Sequence, residues 1–323
     1  MTRTTATQLA GYLSDAHSIE EQALAQLRAA PGIAGDDRLA AALAEHLGET
    51  EMHERVVRER LDALGESPSR MKDLIMAVGG KGFLAFARSQ PDTPGKLAAH
   101  AYSYEHLEIA AYELLARVAR LADDPETEAM ANKILPDERR MAERLESTFD
   151  ATVRSSLAAV GSTDANEQVP AYLSDAHALE QQSVGLLRRA IDVSTAAQLQ
   201  DAYRAHLAES DRHAALLEDR LAELGGSHSI VKDAAMRAGA LNWATFFEAH
   251  PDTTGKVAAF AYAFEHLEIA GYEQLRRVAE AAGDAETARM VDGICGEERA
   301  AAATIAAEWD VAARAALAEA GAA

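Results

Sequence analysis

The chain repeats itself at an offset of 160 residues. The segment YLSDAHSIEEQ at 12–22 aligns without a gap with YLSDAHALEQQ at 172–182, and the hexapeptide EHLEIA occurs once in each copy. A unit of this length is far longer than a solenoid repeat and can close its own core. The sequence therefore predicts two similar domains, residues 1–160 and 171–323, joined by the linker GSTDANEQVP at 161–170.

Each copy is predicted to be all-α. Apolar residues recur at helical spacing, and the whole chain contains only 8 Pro and 20 Gly in 323 residues. In the first copy the pattern predicts four long helices, A at about 5–30, B at about 36–64, C at about 93–121 and D at about 125–158. Shorter helical pieces are predicted at about 69–90, between helices B and C. Four long helices per copy are typical of a four-helix bundle.

The charge of the chain disfavours two classes of partner. Its formal net charge of -21 repels the phosphates of nucleic acids and anionic lipid headgroups, and no Lys/Arg cluster stands out against it. No apolar run approaches the length of a membrane span, and MTRTTATQLA lacks the apolar core of a secretory signal. We therefore expect a cytoplasmic protein that binds neither nucleic acid nor membrane.

Carboxylates interrupt the apolar stripe of every long helix. Residues at i, i+3, i+4 and i+7 share a helix face, so each stripe can be traced along its helix. The polar residues found within or beside these stripes are Glu20 on helix A, Glu49 and His53 on helix B, Glu105 and Glu108 on helix C and Glu138 on helix D, and the second copy repeats them as Glu180, Glu209, His213, Glu265, Glu268 and Glu298.

Five carboxylates in one bundle interior need compensation. Burying one unpaired carboxylate costs several kcal/mol, and neighbouring carboxylates also repel one another. They must either stay protonated or surround cations. Two divalent ions would supply four positive charges, and mixed Glu/His ligation suits iron or manganese better than structural zinc. The pattern predicts a dinuclear iron or manganese site in each copy.

Further side chains are expected around the ligands. His46 and His206 share the face of the predicted ligand histidines but lie two turns away, which favours a buried, hydrogen-bonded histidine over a ligand. Tyr112 and Tyr272 follow the second helix-C glutamate by four residues and are expected to donate a hydrogen bond to a ligating carboxylate.

The motifs resemble the YciF/YciE-like ferritin-like family. Its first helix is similar to YLSDAHSIEEQ, its second to EHLGETEMHER and its third to YEHLEIAAYELL. The resemblance covers nearly all of each copy. It implies two ferritin-like four-helix bundles in tandem, and it makes a pseudo-dimer within one chain the expected arrangement, with higher oligomers left open.

The sequence departs twice from the broader ferritin-like pattern. That pattern takes one Glu from each of two helices and a Glu-x-x-His from each of the other two. Here Glu49 and His53 are four residues apart instead of three, and Glu138 is followed three residues later by Met141. The helix-D histidine is therefore missing, and Glu105 together with Glu108 is expected to compensate in part.

Three functions are compatible with these residues. The first is a di-iron or manganese protein that reacts with dioxygen or peroxide in a redox or stress-response role, which would make it an oxidoreductase. The second is a protein that binds or buffers iron without turnover. The third is a metal-free structural or interaction module with a buried polar core. No nucleotide loop or nucleophile motif indicates a substrate.

Overall fold

The computed structural model describes residues 3–67, 92–161, 165–226 and 253–321. The chain divides into two compact units, the first comprising Met1–Ala159 with Ala320–Ala323 and the second comprising Val160–Glu319. Ten α-helices and two short 3-10 helices make up the regular structure of the described residues, and no strand occurs among them. The predicted all-α tandem architecture is confirmed, whereas the predicted pieces at 69–90 lie outside the described residues. The linker boundaries and the pseudo-dimer stay predictions.

The described residues of the first unit form five α-helices and one 3-10 helix. They are α1 (Arg3–Leu27), the 3-10 helix Ala30–Ile33, α2 (Asp37–Ala63), α3 (Thr93–Leu121), α4 (Pro125–Glu146) and α5 (Phe149–Ala159). Helix α1 contacts α2 and α3, and α4 also contacts α2 and α3. These contacts close a ring of four helices, the arrangement of a four-helix bundle, while α5 packs on α3.

The second unit repeats this arrangement. Its elements are the 3-10 helix Ala165–Glu167, α6 (Val169–Val193), α7 (Ala197–Glu223), α8 (Thr253–Ala282), α9 (Ala285–Ala307) and α10 (Trp309–Glu319). Helices α6, α7, α9 and α8 contact one another in the same ring, and α10 packs on α8 as α5 packs on α3.

Two helix ends differ from the sequence prediction. Helix α1 ends at Leu27 because Pro31 follows closely, and the 3-10 helix Ala30–Ile33 takes its place. The predicted helix D is two helices, since it breaks at Ser147 and Thr148. Their hydroxyls donate to the carbonyls of Arg144 and Leu145, at 2.6 and 2.7 Å, and thereby compete with the helical hydrogen-bond ladder.

Aspartates fix the starts of two bundle helices. Asp36 accepts hydrogen bonds from the backbone N–H of Arg38 and Leu39 at the start of α2, at 2.9 and 3.1 Å. Asp124 caps α4. Its two carboxylate oxygens also accept hydrogen bonds from the Arg60 guanidinium, each at 2.7 Å, which connects α2 to α4. An N-cap of this kind contributes about 1 kcal/mol.

The bundle core is apolar above and below one polar layer. Side chains such as Leu13, Leu39, Leu61, Leu115 and Leu145 are fully buried, and burying each leucine contributes roughly 2 kcal/mol. This packing holds the four helices in a fixed register around the polar layer. Among the described residues, no helix has both the length and the apolar character that crossing a bilayer requires.

Candidate metal centre

Six titratable side chains form the polar layer of the first unit. All are at most 4% exposed, although glutamate is among the residues least often buried. They come from all four bundle helices: Glu20 from α1, His46 and His53 from α2, Glu105 and Glu108 from α3, and Glu138 from α4.

These side chains form two overlapping groups that can each hold a metal ion. One group is His46, Glu105, Glu108 and Glu138, and the other is Glu20, His53 and Glu138; within each group the candidate ligand atoms lie within 4.8 Å of one another. Glu138 belongs to both. Its Oε2 lies 3.4 Å from His46 Nε2, and its Oε1 lies 2.8 Å from His53 Nδ1. The two oxygens of one carboxylate therefore face two different histidines, and Glu138 lies between the two groups.

The second unit repeats both groups. They are His206, Glu265, Glu268 and Glu298, and Glu180, His213 and Glu298. Here Glu298 is the shared residue, with Oε2 3.2 Å from His206 Nε2 and Oε1 2.9 Å from His213 Nδ1.

Buried oxygens without hydrogen-bond partners converge on these groups. Within the described part of the chain, both oxygens of Glu108 and of Glu138 lack a partner of acceptable geometry, as do both oxygens of their counterparts Glu268 and Glu298. An unpaired buried carboxylate is costly. The His53 Nδ1 atom is close to Glu138 Oε1 without hydrogen-bond geometry. When two ligand atoms bind the same ion at about 2.1 Å each, with a right angle between the two bonds, the ligand atoms lie about 3 Å apart. The distance of 2.8 Å between His53 Nδ1 and Glu138 Oε1 is close to this value, so the residues present fit a metal.

The charges of the six side chains are strongly coupled when no metal is bound. Burial and the neighbouring Glu138 raise the pKa of Glu20 to about 8, and burial raises the pKa of Glu105 to about 7. Burial and three surrounding carboxylates raise the pKa of Glu108 well above its usual range. Burial would also raise the pKa of Glu138, but contacts with both histidines lower it to about 2.

The histidines are affected in the opposite sense. Burial lowers the pKa of His53, but Glu138 and Glu20 outweigh it and raise the pKa to about 9. The pKa of His46 is likewise raised, against burial, by Glu105 and Glu138. In the absence of metal, protons on the histidines and carboxylates thus provide the positive charge that the layer needs.

Tyrosine hydroxyls hold the α1 and α6 glutamates. Tyr112 is 1% exposed, and its hydroxyl donates to Oε1 of Glu20. Tyr272 makes the same bond to Oε1 of Glu180. The structure thus places both tyrosines where a hydrogen bond orients a carboxylate of the candidate centre. The other oxygen of that carboxylate has no hydrogen-bond partner among the residues that the structure describes.

The structure exchanges the roles expected for His46 and Glu49. His46 joins the layer, whereas Glu49 lies outside both groups with its side chain 33% exposed and its Oε2 2.9 Å from His46 Nδ1. Each residue of a helix is rotated by about 100° from the one before, so a residue three positions later lies about 60° to one side. Glu49 therefore lies about 60° to one side of His46, and the buried Leu43 lies about 60° to the other side. Glu49 is therefore at the edge of the stripe, where it accepts from Nδ1–H and leaves Nε2 directed at the layer.

The second unit shows the same exchange. His206 joins the layer, and Glu209, 38% exposed at its side chain, lies outside both groups with Oε2 3.2 Å from His206 Nδ1. In each unit, two histidines from one helix thus belong to the candidate ligand groups.

Two outer carboxylates were not anticipated from the sequence. Asp137 Oδ2 lies 3.2 Å from His53 Nε2, and Glu297 Oε2 lies 2.7 Å from His213 Nε2. Each acts on its histidine as Glu49 acts on His46. Each immediately precedes the shared glutamate of its unit, which is the sequence signal that could have identified them.

Comparison with known proteins gives one family. The family described as "Domain of unknown function (DUF892)" matches the chain twice, over residues 6–158 and 166–318. No curated protein and no solved structure matches significantly.

Proposed function

The chain belongs to the DUF892 family, and we propose that each of its two copies is a YciF/YciE-like ferritin-like domain that holds a carboxylate-bridged pair of iron or manganese ions. The observation that carries this proposal is the shared glutamate. Glu138 belongs to two buried ligand groups at once and presents a different oxygen to each histidine. A carboxylate in this position is suited to bridging two ions.

The composition of the layer supports a pair of divalent ions. Without Glu49 the layer contains four glutamates and two histidines, and four ionised carboxylates balance two divalent ions if both histidines are neutral. Four glutamates and two histidines are also the total that the ferritin-like di-metal pattern uses, although here both histidines come from one helix. Oxygen and imidazole ligands suit iron and manganese.

The chain's own residues would fix the ligands and exclude bulk water. Glu49 and Asp137 each hold the outer nitrogen of a histidine, so that the inner nitrogen is free to bind metal. Tyr112 holds one oxygen of Glu20. Iron or manganese bound there would supply oxidation–reduction chemistry toward dioxygen or peroxide, consistent with a redox or stress-response role.

Metal analysis of the purified protein tests the proposal. We expect about four iron or manganese ions per chain, two in each unit. The variant Glu138→Gln should lower the metal content of the first unit because it removes the bridge. Glu113→Gln is a matched control on α3, since Glu113 binds Arg117 and Arg139 outside the layer. Equal metal content in the two variants, or none in the wild type, would contradict the proposal.

Peroxide consumption separates a redox protein from an iron buffer. A redox centre should consume hydrogen peroxide in proportion to bound metal, whereas a buffer should release or retain metal without consuming it. A buffer would still give the metal content expected above, so the two assays answer different questions.

One observation favours a metal-free polar core. His53 and Glu138 can form an ion pair, because the pKa of the histidine is raised and that of the glutamate is lowered. In that case added metal should leave the melting temperature unchanged. The orphaned oxygens of Glu108 argue against this alternative, since the ion pair leaves them without a partner.

A further inference from the structure

A pocket of about 130 Å³ reaches the candidate metal centre of the second unit. It lies between α7 and α9. Its floor is buried, and its mouth is formed by exposed residues. Its floor is lined by Tyr203, His206 and Ala301, and its mouth by Ala205, Ala300 and Thr304.

Larger side chains occupy the same positions of the first unit. At the floor, Met141 stands where the second unit has Ala301, and it is 1% exposed. At the mouth, Arg144 and Glu45 replace Thr304 and Ala205 and form an ion pair at 2.9 Å. The thioether chain and the ion pair therefore fill, in the first unit, positions that small side chains occupy in the second.

The chemistry of the pocket defines what it can admit. A cavity of about 150 Å³ is large enough for benzene, so this one has room for a small molecule. Four alanines and Ile305 make up most of the lining, and the one carboxylate in it, Glu209, is engaged with Nδ1 of His206, so the pocket offers few free ligands to replace the hydration shell of a metal ion. The negative charge of the chain disfavours anions. The occupant is therefore small and uncharged.

Tyr203 adds a polar contact at the floor. Its side chain is 1% exposed, and its hydroxyl has no hydrogen-bond partner among the described residues. A phenol is protonated at neutral pH, so this hydroxyl is available as a donor. The first unit has Leu43 at the same position. A donor in an otherwise alanine-rich pocket suits a small molecule with oxygen acceptors.

We infer that the second unit has an access pocket through which dioxygen or hydrogen peroxide, small neutral molecules with an O–O bond, reaches the His206 side of its centre, and that the first unit closes this route. The nature of the centre at the end of the route rests on the proposed function. The existence of the route and its closure by Met141 and the Glu45–Arg144 pair do not.

Dissolved dioxygen tests the pocket without bound metal. Dioxygen is paramagnetic, so it speeds the relaxation of methyl groups that it approaches. With ¹³C-methyl-labelled alanine in the chelator-treated full chain, we expect stronger enhancement at Ala301, which is 9% exposed, than at Ala99 and Ala259, which are 8% and 7% exposed and do not line the pocket. Similar enhancement at all three methyl groups would overturn the inference.

Two variants close the pocket in different ways. Ala301→Met introduces the floor residue of the first unit, and the double variant Ala205→Glu/Thr304→Arg introduces its surface ion pair at exposed positions, so a folding defect is not expected. The enhancement at the methyl group of Ala202, which also lines the pocket, should be lost in both. Retention of it in the correctly folded double variant would contradict the closure argument.

Separate dioxygen and peroxide reactions of the iron(II)-loaded chain show which molecule uses the route. For the oxidant that does, iron should be oxidised in a fast phase from the second unit and a slow phase from the first. The double variant should lose the fast phase, and the triple variant Glu45→Ala/Met141→Ala/Arg144→Thr, which gives the first unit the small residues of the second at all three positions, should accelerate the slow one. If the variants slow metal loading instead, the pocket is an ion route and the inference is wrong. A chain that binds no iron would refute the proposed function while leaving the relaxation result valid.

Discussion

Removing metal should make the stability of each unit fall as the pH rises. In the metal-free first unit the pKa is about 8 for Glu20, about 7 for Glu105 and about 9 for His53. The ordinary values are 4.5 for the carboxyls and 6.5 for the imidazole. All three are raised, so the folded state retains protons that the unfolded state has released. Their stabilising contribution is complete below the ordinary pKa and is lost as the pH rises through the folded pKa.

The size of the effect follows from proton counting. Between about pH 5.5 and about pH 7 the folded state holds nearly one extra proton on Glu20. On Glu105 the extra proton falls from nearly one to about one half over the same range. Each proton is worth about 1.4 kcal/mol per pH unit. Because the carboxylates of the layer interact and share protons, we count one extra proton for the folded state. The unfolding free energy should then fall by about 1.4 kcal/mol per pH unit. That is a large fraction of the roughly 5–15 kcal/mol that stabilises a typical domain. Glu138 does not oppose the trend, because its lowered pKa acts only at acidic pH.

Urea unfolding followed by circular dichroism measures this directly. The chelator-treated chain should lose unfolding free energy between about pH 5.5 and about pH 7.5, whereas the manganese-saturated chain should gain it, because metal and protons compete for the same ligands. The variant Glu20→Gln should reduce the slope of the chelator-treated chain. A slope that is flat or positive after chelation, with no effect of metal, would refute the electrostatic reasoning.

Four further predictions concern single features. Glu108→Gln with its second-unit counterpart should lower metal affinity but raise the stability of the chelator-treated chain at alkaline pH, as metal titrations and thermal melts will show. Tyr112→Phe should lower metal affinity by about tenfold, because the carboxylate it holds loses its orientation, whereas Tyr104→Phe, whose hydroxyl binds a backbone carbonyl, should not. Glu49→Gln should also reduce affinity by about tenfold, and an unchanged titration would show that it does not orient its histidine. Residues 1–160 expressed alone should be helical by circular dichroism, and an unfolded product would contradict independent folding of the first copy.

Much of the fold could be predicted because its signals are local or repeated. The offset of 160 residues predicts two similar units, and the interruption of apolar stripes identifies the buried glutamates of three helices. The break at Ser147 and Thr148 was missed because the apolar periodicity continues across it. Only the side-chain hydrogen bonds to preceding carbonyls end the helix there. Periodicity reports which residues face the core, but it does not report such local competition.

The ligand set was harder to predict because a metal site is defined in space and not by one helix. The pattern Glu-x-x-His, expected on each of two helices, points to Glu49 and His53 on helix B. On helix D it finds no histidine after Glu138. His46 and His53 are seven residues apart, which is nearly two full turns, so both face the interior. Their ring centroids lie 6.4 Å apart, and Glu138 contacts both. One helix can therefore supply both histidines once the facing helix supplies a carboxylate between them. Six candidate ligands share one height of the bundle, and we predict that Glu49, on the edge of the stripe, orients His46 instead of binding metal.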